Sequence, residues 1–216
     1  YTHPATPHNY TPRLSSAASD VYKRQVQLSG NAVWVPVDGY TGATALATGA
    51  IDGISGIIAS GLTFTQAFVG QMQGSIGETS LLACLFGAAL LIYTGIASWR
   101  IIVFTFIGLI IPAMLFTSAD SANAMMTIPW FWHLAIGGFA FGAVFMATDP
   151  VSAPDTMAGH IIYGLLVGFL TWVIRVINPA FPEGIMLAIL LGNIFAPLID
   201  YFVMQSNVKR RMKRSV

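Results

Sequence analysis

Charge is what this chain has least of. Charged residues make up 9% of its 216 positions, where soluble domains carry about 25%. So few charges cannot coat a globule whose composition is 55% hydrophobic, with a mean hydropathy of +0.69. The bilayer is the natural solvent for such a sequence. Cysteine is nearly absent too. Cys84 is single and sits in an apolar run, which excludes a disulfide framework and an iron–sulfur cluster ligated by this chain alone. Its thiol reads as packing. Walker loops and dinucleotide-binding glycine patterns after a strand are missing as well. Basic surface is confined to one place, the segment Lys209, Arg210, Arg211, Lys213 and Arg214, which directly follows an apolar stretch. That position argues against a nucleic-acid partner and for a membrane-flanking tail.

Residues 1–25 differ from the rest. They hold three prolines, two histidines and a Ser-Ser-Ala-Ala-Ser run, with no apolar core of a signal peptide. The stretch Arg13 to Gln25 resembles translated sequencing-adapter sequence, so residues 1–25 read as a non-native, disordered leader, with an N-terminal portion of the protein missing before Val26. Residues 26–78 carry Gly, Thr and short apolar patches, and read as an outer-surface loop region. Phe64 and Phe68 fall on one face of a short interfacial helix there. Residues 79–208 read as an all-α, five-helix transmembrane bundle, and residues 209–216 as a basic cytoplasmic tail.

The five spans fall at about 79–97, 101–118, 131–148, 160–177 and 185–204, each near the roughly 20 apolar residues a crossing requires. Gly138 with Gly142, and Gly164 with Gly168, give flat faces for helix packing. The basic tail places the C-terminus in the cytoplasm. Counting back puts the joints at 98–100 and 149–159 on the same side. The joints at 118–129 and 178–184, and everything before the first span, fall outside. Arg175 runs against this charge trend near the outer face, with Glu183 as its partner.

Two groups of residues carry candidate chemistry. The first is the loop Asp38-Gly-Tyr-Thr-Gly-Ala-Thr44. Gly39 and Gly42 permit a tight turn, Asp38 can order it, Thr41 lies within it, and Ala43 leaves the Thr44 hydroxyl unobstructed. Read alone, this is a phosphoester attachment site for a nucleotide or an ordinary Asp-Gly turn. The second group is Asp149, Asn193 and Asp200. Acids at membrane depth are costly and commonly functional. Pro197 frees the carbonyl of Asn193, and a hard cation favours such oxygen ligands. Asp200 and Asn193, with Asp149 nearby, are therefore candidates for a sodium path; capping and pairing with the tail are the alternative roles. His133 beside Trp130 and Trp132 reads as an interfacial aromatic belt. His160 has no second ligand at a metal-binding spacing, and Met125 and Met126 read as packing.

The loop resembles the flavin-attachment motif of a family of membrane subunits shared by two related ion pumps. One is the B-type subunit of the sodium-translocating NADH:quinone oxidoreductase. The other is the D-type subunit of the Rnf-type ferredoxin:NAD oxidoreductase. Phe145-Met-Ala-Thr-Asp-Pro-Val-Ser152 and Pro182-Glu-Gly-Ile-Met-Leu-Ala-Ile-Leu190 are similar to both. Ile96-Ala-Ser-Trp-Arg-Ile101, Pro129-Trp-Phe-Trp-His133, Ile174-Arg-Val-Ile-Asn-Pro179 and Phe195-Ala-Pro-Leu-Ile-Asp-Tyr-Phe202 are closer to the sodium pump. The resemblance covers Val26 to Arg214. It implies FMN carried covalently on Thr44 at the outer side of a bacterial inner membrane, attached by a separate flavin transferase. Electrons would pass from NADH towards ubiquinone in a multi-subunit complex that exports sodium, with NADH bound on another subunit. The acids at positions 149 and 200 are linked in this family to sodium uptake. Riboflavin is a further cofactor the resemblance implies, without a position in this chain. The resemblance also makes the chain the C-terminal half of a ten-helix subunit, with quinone contacts largely in the other half. An Rnf-type subunit and a flavin-free membrane transport subunit are the alternatives.

Overall fold

The computed structural model describes residues 44–72, 74, 77, 79–117, 123–178 and 182–214, and among these every regular element is helical. The order is α1 (Ala45–Ala59), α2 (Phe64–Val69), α3 (Leu81–Tyr93), α4 (Trp99–Phe116), a 3-10 turn (Ala124–Thr127), α5 (Trp130–Ala135), α6 (Phe139–Phe141) running on into a π turn (Gly142–Met146), α7 (Met157–Ile177) and α8 (Ile185–Met212). The all-α class read from composition holds. Three helices, α4, α7 and α8, are long and apolar enough to cross a membrane, while α1 and α3 are apolar but shorter.

Three expectations are revised. The described part of the expected 26–78 loop region carries two helices. Helix α1 is built from Ala, Gly and Ile, and is held by packing against the 3-10 turn rather than by strong amphipathic periodicity. It breaks at Gly53 (φ 66°, ψ −150°), where a Cβ would stand 2.3 Å from the Thr127 hydroxyl oxygen. The amide of Ile54, released at the break, donates to that same hydroxyl oxygen at 3.2 Å. Helix α2 is closed by a Thr63–Gln66 capping box and a left-handed Gly70, and it does bring Phe64 and Phe68 together, ring centroids 6.2 Å apart.

The third expected span, 131–148, is not one helix. It stops after Ala135, turns at Gly137 (φ 75°) and resumes at Phe139 before widening into the π turn. A hydropathy window cannot see this break, because every residue through it is apolar or glycine. The carbonyls it exposes are met by Arg175, a fully buried guanidinium. Its Nη1 donates to the His133 carbonyl at 2.6 Å, its Nη2 to the Ile136 carbonyl at 3.3 Å, and its Nε to the Glu183 carbonyl at 3.1 Å. Glu183 is thus a partner of Arg175 through its main chain. The third revision concerns the tail, whose first residues continue α8 as helix through Met212.

Helices α4 and α7 pack backbone to backbone. A Cβ on Gly164 would meet the Ile101 carbonyl at 2.9 Å, and one on Gly168 would meet the Thr105 carbonyl at 2.1 Å. Gly108 answers from α4, with the Leu165 carbonyl 2.6 Å from its would-be Cβ. The expected packing role of the Gly164–Gly168 pair is therefore realised. The Gly138–Gly142 pair splits: Gly142 faces Ile185, while Gly138 starts the resumed helix with open space beside it.

Matching residues rise together along α4 and α7, from Ser98 beside His160 to Phe116 stacked on Trp172, so the two helices run parallel. Helix α8 returns antiparallel, from Gly184 against Thr171 to Asp200 against Thr156. The joints at 98–100 and 149–159 and the end of α8 thus share one end of the bundle. Asn123, Arg175 and Glu183 share the other, with the Asn123 side-chain amide donating to the Val176 carbonyl at 2.6 Å.

Gly168→Ala should force α4 and α7 apart and destabilise the full-length subunit by about 1–3 kcal/mol. Gly138→Ala, with its nearest neighbour 3.9 Å from the new methyl, should stay within about 0.5 kcal/mol of the parent. Thermal unfolding in detergent checks both; equal effects would remove the close-packing account.

Candidate functional site

Thr44 is the N-cap of α1. Its backbone is extended (φ −72°, ψ 157°), and its hydroxyl oxygen accepts from the Ala47 amide at 3.2 Å. This follows from sequence, since threonine before an Ala-rich run is a preferred cap. Thr44 is half-buried, and its neighbours Ala45 and Ala47 present no side-chain atoms beyond Cβ. The one long side chain on that turn, Leu46, is buried and so turned away from the surface. The turn's unpaired amides and the helix dipole favour negative charge there. Asp38, Gly39, Thr41, Gly42 and Ala43, the other residues of the candidate loop, lie outside the described residues.

One turn in, Leu46 is buried against the break in the third span. A Cβ on Gly137 would lie 2.6 Å from the Leu46 Cδ2 and 3.0 Å from the Arg175 Nη2. The start of α1 is thereby seated at the Arg175 end of the bundle. On that side α2 and α5 contribute an aromatic cluster, in which Phe64 lies edge-on to Phe131 (5.1 Å) and Trp132 (5.7 Å). The aromatic belt expected here is partial. Trp130 is exposed, whereas Trp132 and His133 are core residues, and the His133 Nδ1 is buried with no hydrogen-bond partner among the described residues. Helix α5 is too short and too deeply packed to present all three rings to an interface.

The candidate acids sit at the opposite end. From Thr156 to Arg175 along α7 is about 28 Å at about 1.5 Å per residue. Asp200 fixes the start of α7: its carboxylate accepts from the Asp155 amide (2.8 Å), the Thr156 amide (3.2 Å) and the Thr156 hydroxyl (2.6 Å). Gly159 is needed beside it, since a Cβ there would stand 2.8 Å from the Asp200 Oδ1. Asp149 bonds within its own turn, accepting from the Val151 amide (3.3 Å) and the Ser152 hydroxyl (2.8 Å). Asn193 accepts from the Tyr163 hydroxyl at 2.6 Å. It lies two helical turns from Asp200 along α8.

These three candidates share an end of the bundle without converging as a ligand shell. Among the described residues no group of three His, Cys, Asp or Glu side chains is placed to hold a metal. Asp200 and Asp149 bracket the 149–156 segment instead, and each is the anchor of one of its ends. Tyr163, Thr156, Ser152 and Ser98 were not singled out from sequence. Thr156 carried a signal, as a hydroxyl residue opening an apolar run. The Tyr163–Asn193 and Ser98–His160 contacts join residues far apart in the chain, and nothing local announces them.

The family model described as "NQR2, RnfD, RnfE family" matches residues 13–209, a stretch that begins inside the segment set apart by composition. Proteins named as the B-type subunit of Na(+)-translocating NADH-quinone reductase are similar throughout. That of Chromohalobacter salexigens is 55% identical over 204 residues, covering 94% of this chain and 49% of the relative. That of Pseudomonas aeruginosa is 52% identical over 205 residues (94% and 51%), and that of Azotobacter vinelandii 52% over 206 residues (95% and 51%). The chain spans about half the length of the curated relatives it matches. With a family match over nearly its whole length, and a helical membrane architecture to go with it, this chain belongs to the NQR2, RnfD and RnfE family.

Proposed function

We propose that the chain is part of the B-type membrane subunit of a sodium-translocating NADH:quinone oxidoreductase, and that it carries FMN on Thr44. The observation that carries the first part is identity above half with proteins of that name, sustained over 94% of the chain. The second rests on the loop motif ending at Thr44 and on the cap geometry of that residue. In this reading the Thr44 hydroxyl loses its proton and takes the flavin's phosphoryl group, as a separate transferase breaks the phosphoanhydride bond of a flavin dinucleotide donor and a nucleoside monophosphate leaves. The N-terminus of α1 favours the phosphate's negative charge, and the small residues 45 and 47 leave it room. FMN supplies electron transfer when bound; the protein supplies position and field. NADH and ubiquinone are handled largely outside this chain, on the rest of the subunit and on other subunits.

The membrane is the bacterial inner membrane, with Thr44 outside and the end of α8 in the cytoplasm. Basic residues following α8 support that orientation. The parallel run of α4 and α7 supports it as well, since it puts the 98–100 and 149–159 joints on the tail's side. The sodium path begins at that cytoplasmic end, where Asp200 holds the 149–156 segment over the bundle. The names of the relatives favour this pump over an Rnf-type complex.

In the assembled complex, Thr44→Ala should abolish the fluorescent flavin band of this subunit after denaturing electrophoresis, while Thr44→Ser should retain it. A band of undiminished intensity in Thr44→Ala would refute the tether. No band in the parent would favour the flavin-free reading. Asp200→Asn removes charge at nearly constant shape. It should raise the sodium concentration for half-maximal quinone reduction about tenfold, equivalent to about 1.4 kcal/mol of ion affinity. An unchanged sodium dependence would leave Asp200 as a loop anchor only.

A further inference from the structure

We infer that the groove between the start of α7 and the second half of α8 binds an anionic phospholipid. The groove has a volume of about 880 Å³ and lies at the end of the bundle that carries the basic tail. Its α8 wall is a single stripe of Ile199, Phe202, Val203, Ser206, Asn207 and Arg210. Those positions are three and four apart, so they share one helix face. Along that face the chemistry runs in one direction, from apolar to polar to cationic, over about 16 Å.

The opposite wall is apolar apart from Asp155 and Thr156 at its edge. Met157 and Ile162 line it from α7, and they stand 64% and 47% exposed, as Phe202 stands 60% exposed across from them. An acyl chain would cover these surfaces. A phosphate would reach Ser206, Asn207 and Arg210, whose guanidinium is suited to bidentate phosphate contacts. Lys209, Arg211, Lys213 and Arg214 add positive field around that end, and Asp155 is the single acid on the lining. Basic pockets between membrane helices on the cytoplasmic side have the properties that anionic headgroups select.

Three amides around the start of α7 are already bonded: Asp200 takes those of Asp155 and Thr156, and Thr156 takes that of Gly159. The cationic part of the lining is on the α8 stripe. Free phosphate would use only its polar end and leave the apolar part wet. A zwitterionic lipid would leave the five cations uncompensated.

The test uses the full-length subunit, purified in detergent and stripped of lipid, with its thermal midpoint followed on adding phosphatidylglycerol, phosphatidylcholine or inorganic phosphate. Phosphatidylglycerol alone should raise the midpoint. The rise should fall by at least about half in Arg210→Gln, and in Val203→Trp, which fills the groove and keeps every cation. Arg211→Gln, off the stripe, should keep it. Equal losses in Arg210→Gln and Arg211→Gln would reduce the effect to a general one of the basic tail and overturn the site. So would equal shifts with phosphatidylcholine or phosphate, or no shift at all because protein already occupies the groove.

Discussion

A buried arginine holds together the end of the bundle where α1 begins. Arg175 is fully enclosed, and it spends three donors on main-chain carbonyls, two from the broken third span and one from the joint before α8. A guanidinium has no acceptor capacity and keeps its charge, so it can be buried only where oxygens are already converging. The break after Ala135 supplies them. Each feature makes the other tolerable: the break leaves carbonyls that water cannot reach, and Arg175 is a cation that water cannot reach. Hydrogen bonds to charged groups contribute about 1.5–3 kcal/mol each, and losing one partner leaves the other desolvated and unpaired. The arginine on α7 therefore determines where the third span bends, and through Gly137 and Leu46 it determines where α1 begins.

The two ends of the bundle are built by different means. At the Arg175 end the backbone is irregular. Gly53 and Gly137 interrupt helices, and a threonine hydroxyl or a guanidinium meets the groups set free. Such discontinuities are tolerated at membrane depth only where protein buries them. Thr44 opens a helix on this irregular side. At the Asp200 end the helices are regular and side chains do the fastening, with Asp200 on the start of α7, His160 on Ser98 and Asn193 on Tyr163. Between them lies the glycine-lined contact of α4 and α7, close enough to transmit a shift of one helix to the other. The proposed flavin tether at one end and the acids proposed for the ion path at the other are thereby joined through α7, about 28 Å from Thr156 to Arg175.

Much of this was legible in the amino-acid order. Composition alone demanded a membrane, and apolar length located α4, α7 and the start of α8 to within a few residues, while α8 runs on to Met212, past the expected end near 204. The spacing of Gly164 and Gly168 announced a close helix contact. Thr44 was visible as a loop threonine, and its role as an N-cap follows from the alanines behind it. The helix break at 136–138 was not legible, because hydropathy is unchanged through it and the glycine that turns there resembles the glycines that pack. Arg175 read as an anomaly near an interface for the same reason: its partners are carbonyls, which sequence does not display. Helix α1 was missed because its stability comes from packing against the Ala124–Thr127 turn. Asp200 was recognised as important for its depth, but the three donors it accepts from residues 155 and 156 are long-range and had no local signature.

Hydrogen–deuterium exchange of the full-length subunit, comparing the parent with Arg175→Met, tests the organising role of the guanidinium most directly. Without it, exchange should accelerate across residues 130–146 and in the first half of α1, while α4, held by its own glycine contact with α7, should be unchanged. Unaltered exchange across residues 130–146 and 45–53 would contradict the account, because the break and the seat of α1 would then be maintained without Arg175.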